Sequence, residues 1–332
     1  MRRRAKQAIN LLIKAALASA LIWYLIHVGA LDLDAIARLA TPSIVCAILI
    51  LQLLMLALNN WRWMILLRAQ AFPASVRSTF PLTLIGLFFN FAMPGGVGGD
   101  VIKGYYLLKE HPERRIAAAL SIFMDRMSGF FIMLATAMVA LVANWSAVAK
   151  NRNFQAVGGT VGLLLFGFIV FYALSLTSFV KGSALAQAAF DRLPGGRALR
   201  RIYEGLHSYR SQPGALAASF GVSALSQLAL VGANALVGAA LGETVPLACY
   251  FFVVPVGTVV MTLPISLAGI GVGQAAFFFL YKMYLGRETQ LGPTAVTALQ
   301  LASFAWGLVG AVIYLRRKDP STHASKTKSI YT

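Results

Sequence analysis

Six stretches of the chain are apolar over about 20 residues or more, the length an α-helix needs to cross the hydrocarbon core of a bilayer. They lie at 9–29, 43–67, 116–143, 154–177, 214–241 and 292–315. Each is too long and too continuous to be half of a soluble core. The expected fold is therefore all-α, a polytopic bundle of transmembrane helices. Composition agrees: 58% of the residues are hydrophobic and 12% charged, and the mean hydropathy is +0.73, well outside the range of domains whose surface water must wet.

The net charge of +18 raises nucleic acid as a partner, but the basic residues punctuate the apolar runs and do not gather on a polar face, which argues against it. Cys46 and Cys249 sit far apart within apolar stretches and read as small buried hydrophobes. His27, His111, His207 and His323 have no ligand spacing. No metal site, cofactor motif or catalytic constellation is expected; GGVGGDVIKG lacks the GK[ST] of a phosphate-binding loop.

Two further apolar runs, 79–93 and 247–263, are short and end at Pro94 and Pro264. Glycines follow each, then a second apolar helix at 101–108 and 272–285. Such lengths predict broken or re-entrant helices. With the N-terminus inside and both broken elements returning to the side they entered, most of the 29 Lys and Arg fall at the cytoplasmic face, as topology rules require, with Lys150 and Arg152 against the trend. Counting all four short pieces as full spans gives a ten-helix alternative with the same termini. The basic N-terminus and the small-residue patch at ALASA read as the start of an uncleaved first span. In the loop 178–212, Leu199, Ile202, Leu206 and Tyr209 recur at helical spacing opposite arginines, which suits a helix on an anionic leaflet or a basic loop that enforces topology. The tail 317–332 is polar and expected to be disordered.

The two broken elements read as an inverted repeat, 79–143 against 247–315. PGGVGG from Pro94 corresponds to PISLAGIG from Pro264, and the following spans align with Gly129 opposite Gly307. Inverted repeats with discontinuous helices place transporter binding sites near the midplane.

Within the spans, Asp125 and Arg126 lie about 15 Å into their helix, near the bilayer centre, where charge must face protein. Adjacent residues on a helix diverge by about 100°, so each is expected to meet a different neighbour. Arg62, between Trp61 and Trp63, reads first as an interfacial anchor and second as a site residue. Lys103, just past the glycine break, is placed to add positive charge where helix N–H groups attract phosphate. Asn59, Asn60, Asn90, Gln227, Asn234 and Gln274 are further polar groups in apolar runs, suited to joining helices.

Taken in order and spacing, NNWRWMILLRAQ, FFNFAMPGGVGGDVIKGYYL, MDRMSGF and LPISLAGIGVGQAAFF resemble the lysylphosphatidylglycerol synthase transmembrane region family, the flippase-like domain, over about 9–316. The resemblance implies movement of an aminoacylated phospholipid between leaflets; the synthase activity of bifunctional members, which resides in a soluble domain, is not expected here. It implies site residues at Pro94, Gly95, Gly96, Gly98, Gly99 and Asp100, at Asp125 and Arg126, and at Pro264, Gly269 and Gly271. Members commonly carry a charged pair after the second glycine motif, where this chain has Gly273-Gln274. The expectation is an inner-membrane protein that flips a phosphate-bearing lipid, with Arg62, Lys103 and Gln274 added to the site. The alternatives are a membrane-embedded transferase on a lipid-linked substrate and a non-transporting partner of a separate lipid synthase.

Overall fold

The computed structural model describes residues 33–92, 96–183, 196–263 and 268–317, with Trp23 and His27. The expected first span, the tail beyond Arg317, and Pro94, Gly95 and Pro264 lie outside these residues. Among the described residues thirteen α-helices follow in order: α1 Leu33–Arg38, α2 Pro42–Ala69, α3 Val76–Ala92, α4 Gly98–Glu110, α5 Arg115–Ala143, α6 Trp145–Lys150, α7 Arg152–Leu176, α8 Phe179–Gly182, α9 Gly196–His207, α10 Pro213–Ala240, α11 Leu247–Met261, α12 Val272–Leu285 and α13 Leu291–Arg316. Five of these, α2, α5, α7, α10 and α13, are long and apolar enough to cross a membrane. The chain is a helical membrane bundle.

The two short pairs fold as helical hairpins. α3 and α4 are about 25 and 20 Å long against about 43 Å for α5, at 1.5 Å per residue, so the hairpin turns back part-way. Its arms meet where Gly86 faces Gly99: a Cβ on Gly99 would stand 2.8 Å from the Gly86 carbonyl oxygen, and only glycine allows that approach. In the second hairpin, α11 and α12, Gly273 lies against the side chain of Met261. The breaks carry positive φ at Gly96 (62°), Ala268 (49°), Gly269 (75°) and Gly271 (80°).

The hairpins belong to larger repeats than their own sequence suggests. α2–α3–α4–α5 matches α10–α11–α12–α13, and every substantial packing contact among these eight helices has its counterpart when the units are exchanged. α3 packs on α13 as α11 packs on α5, and α2 and α10 pack on each other. The offset is 171 residues before the break, from Pro42 to Pro213 and from Val76 to Leu247, and 174 after it, from Gly98 to Val272. On α5 and α13 the equivalent bonds Arg126–Asp100 and Gln300–Gln274 keep the offset of 174, which sets Arg126 opposite Gln300 and differs from the sequence alignment of Gly129 with Gly307.

The units run in opposite directions. Asn59 bonds Ser226, Arg62 bonds Ser223, and the backbone of Leu66 accepts from Tyr209, so α2 and α10 are antiparallel. At one end Arg114 donates to the Gln70 and Ala71 carbonyls, and Arg317, just past α13, reaches Glu110. At the other, Arg287 pairs with Glu243 and Tyr284 bonds Asn144. The two hairpins therefore enter from opposite ends, and their breaks approach mid-height. Helix α9 divides its apolar face: Leu206 and the following Tyr209 are buried, whereas Leu199 and Ile202 are 46% and 42% exposed.

Candidate functional site

Between α2, α5, α10, α11, α12 and α13 lies a central cavity of about 340 Å³. Its polar lining comprises Gln52, Asn59, Arg62, Arg126, Ser223, Ser226, Gln227, Asn234, Thr258, Thr262, Gln300 and Ser303. Among the described residues two guanidiniums are the charged groups in that lining, and no carboxylate belongs to it.

The carboxylates stand beside the arginines instead. Arg62 is buried and donates from Nε to Asp125 at 2.6 Å and from Nη1 to Ser223 Oγ at 3.2 Å. Arg126 donates from Nε to Asp100 at 2.6 Å and from Nη2 to the Gly96 carbonyl at 3.1 Å. Asp125 and Arg126 thus meet different neighbours, as one residue of helical rotation requires. Among the described residues each guanidinium commits two of its five N–H donors in this way. The interfacial reading of Arg62 is overturned: the side chain turns inward because Gly129 leaves room for it, Nη1 lying 3.0 Å from where a Cβ would stand. It also lies within reach of a buried counter-charge, which offsets part of the cost of desolvation.

Asp100 occupies the first turn of α4, where the helix dipole favours a negative group. Gly98 and Gly99 are buried, and the Gly99 N–H donates to Asn90 Oδ1 at 2.7 Å. That bond spends a donor which the sequence reading offered to phosphate. Lys103 is also placed differently from the expectation. It is buried with Nζ 4.7 Å from the Trp63 ring centroid, a cation–π arrangement, and it does not line the cavity.

The second break is held by neutral groups. Gln274, buried at the start of α12, accepts from the Gly271 N–H at 2.8 Å and donates to Gln300 Oε1 at 2.8 Å and to Thr297 at 3.1 Å. Gln300 in turn donates to the Ala268 carbonyl at 3.3 Å. Gln274 itself is fully engaged in closing the helix start and is not a lining residue; Gly269 and Gly271 shape the turn.

Sequence reasoning missed Gln52, Ser223, Ser226, Thr258, Thr262, Gln300 and Ser303. One signal could have found part of them: Ser219, Ser223, Ser226, Gln227 and Asn234 form a stripe at helical spacing along α10, an otherwise apolar helix. Two cavity groups on that stripe, Gln227 Nε2 and Asn234 Oδ1, are buried with no hydrogen-bond partner among the described residues. Orphaned buried polar atoms are costly unless something in the cavity meets them.

The family model described as lysylphosphatidylglycerol synthase TM region matches residues 11–311. The chain is also similar to a UPF0104 membrane protein of Methanothermobacter thermautotrophicus, 23% identical over 302 residues that cover 86% of this chain and 88% of the relative. No solved structure matches.

Proposed function

Because the chain belongs to the lysylphosphatidylglycerol synthase transmembrane region family, we propose that it moves a phosphate-bearing lipid between leaflets, with the headgroup held in the central cavity. The observation that carries this reading is the lining itself: among the described residues Arg62 and Arg126 contribute its formal charge, and no carboxylate shares it. Guanidinium is the side chain best matched to phosphate, planar and always charged.

Asp100 and Asp125 act as counter-ions. Held at 2.6 Å from each Nε, they offset the positive charge of the guanidiniums and keep them aimed at the cavity. A phosphate then takes the remaining N–H donors without displacing either carboxylate. Gln227 and Asn234 satisfy the polar headgroup beyond the phosphate. The opposed repeats supply the movement: each hairpin lies between the two long helices of its own unit and against one of the other. Rocking one unit on the other can open the cavity at either end in turn. The cell inner membrane, with both termini cytoplasmic, is the orientation proposed with this function.

Reconstitution tests the reading. Phosphatidylcholine vesicles containing the purified protein and a trace of head- or tail-labelled phosphatidylglycerol should show accelerated leaflet exchange, strongly slowed in Arg126→Gln. A chemically altered lipid would point to a transferase, and activity seen only with an added synthase would point to a partner role. Folded protein that accelerates no anionic phospholipid sinks the proposal.

A further inference from the structure

A second cavity, of about 290 Å³, lies between α5, α7 and α11. Its lining is almost wholly apolar, with Thr160 the exception, and Ala156, Thr160 and Leu164 on α7 are exposed at its rim. Met133 lines both this cavity and the central one. The two spaces therefore share a wall one side chain thick, polar on one side and apolar on the other. Helix α11 and its C-cap make the same division: Thr258 and the capping Thr262 face the central cavity, Val256 and Val260 the apolar one.

At the equivalent seam of the other repeat the helices pack closer. The equivalent seam joins α13 to α3, where Gly307 and Gly310 let the backbones close: a Cβ on Gly310 would fall on the Leu84 carbonyl, and one on Gly307 would stand 3.4 Å from Phe88 Cα. At the 174-residue offset those glycines become Met133 and Thr136 on α5, and at 171 Leu84 and Phe88 become Pro255 and Val259 on α11. Side chains hold apart what glycine lets meet.

We infer that the apolar cavity between α5, α7 and α11 receives an acyl chain of the lipid whose phosphate sits at Arg62 and Arg126, with Met133 marking where headgroup gives way to tail. Arg126 and Met133 are seven residues apart on α5, about 10 Å at 1.5 Å per residue, the scale on which a phospholipid passes from phosphate to chain. The inference rests on the proposed function, since it takes its occupant from there. An acyl chain is the apolar ligand that a polar cavity next door would bring with it, because the two are covalently joined.

A phosphatidylglycerol carrying a photoreactive diazirine on one acyl chain tests this in protein purified in detergent and returned to phosphatidylcholine vesicles. Adducts are expected on Leu134, Ala137, Val157 and Val256. Thr160→Trp, on the exposed rim where folding is little affected, should lower them about tenfold, the equivalent of about 1.4 kcal/mol, and Ala137→Trp should do the same if it folds. Retention of a dihexanoyl phosphatidylglycerol, whose chains are too short to need the groove, should be unchanged by Thr160→Trp. Adducts concentrated on α3 and α13, with lipid bound, overturn the groove and leave the headgroup reading standing. No lipid-dependent adduct anywhere overturns both.

Discussion

Asp125 Oδ1 lies 2.6 Å from Nε of Arg62, with both side chains about nine-tenths buried, yet Arg62 alone of the two lines the cavity. The carboxylate serves the arginine, and the arginine serves the cavity. Asp125→Asn leaves a buried guanidinium without its counter-charge, a change that costs about 3 to 5 kcal/mol. A large fall in the melting temperature of the purified protein checks this. The double change Arg62→Met with Asp125→Leu should recover much of the stability, since a buried pair exchanged for apolar groups is often neutral. Lipid exchange should remain lost in the double variant, which separates holding the fold from holding the ligand.

The neutral pair Gln274–Gln300 shows that the latch geometry does not need charge. Replacing both Asp100 and Arg126 with Gln should therefore give a protein that folds and melts close to the parent. Arg126→Gln alone strands Asp100 and should melt lower than the double variant. Both should slow lipid exchange by about tenfold or more, the effect of about 1.4 kcal/mol in the transition state, measured in the same vesicles.

Backbone contact at Gly99 sets a third expectation. Gly99→Ala forces a methyl to within 2.8 Å of the Gly86 carbonyl oxygen and should cost about 1 to 3 kcal/mol, the usual range for overpacking. Gly104, on the same helix, would meet nothing closer than Ile122 Cδ1 at 3.6 Å. Gly104→Ala should be neutral or stabilise by up to about 1 kcal/mol through helix propensity. Comparing the two melting temperatures isolates the close approach from any general intolerance of α4.

Outside the spans, Glu243 has its carboxyl held below the usual 4.5, chiefly by the hydrogen bond Arg287 donates and also by that of Thr289, with burial opposing. Its folded pKa is lower than its unfolded one, so its contribution to stability is present above pH 4.5 and lost as pH falls through the depressed value. Acid titration of the melting temperature should show this loss, and Glu243→Gln should reduce it. The effect is modest, because the Arg287 side chain is 49% exposed and solvent screens the pair.

Span positions were legible because the length of an apolar run is set by the bilayer: 43–67 became Pro42–Ala69 and 214–241 became Pro213–Ala240. The hairpins were legible because Pro and Gly interrupt runs too short to cross. The divergence of Asp125 and Arg126 followed from helical rotation. The direction of Arg62 was not legible, since an arginine between two tryptophans near a span end reads equally as an anchor until a partner at Asp125 is known. The register of the repeat was hidden for a different reason: small residues recur throughout apolar helices, so matching Gly129 to Gly307 carries little information. The true correspondence joins Arg126 to Gln300 and Asp100 to Gln274, pairs alike in what they bond and not in chemical type.

At the structural offsets, Arg62 corresponds to Ala233 and Asp125 to Leu299. The two cavity arginines and the aspartates beside them therefore come from one repeat, and the other repeats the shape without the charge. A molecule whose halves could be interchanged by a half-turn in the membrane plane is thereby given a top and a bottom. Moving the four residues to positions 233, 274, 299 and 300 would produce, as far as a passing anion could sense, the same protein inserted upside down.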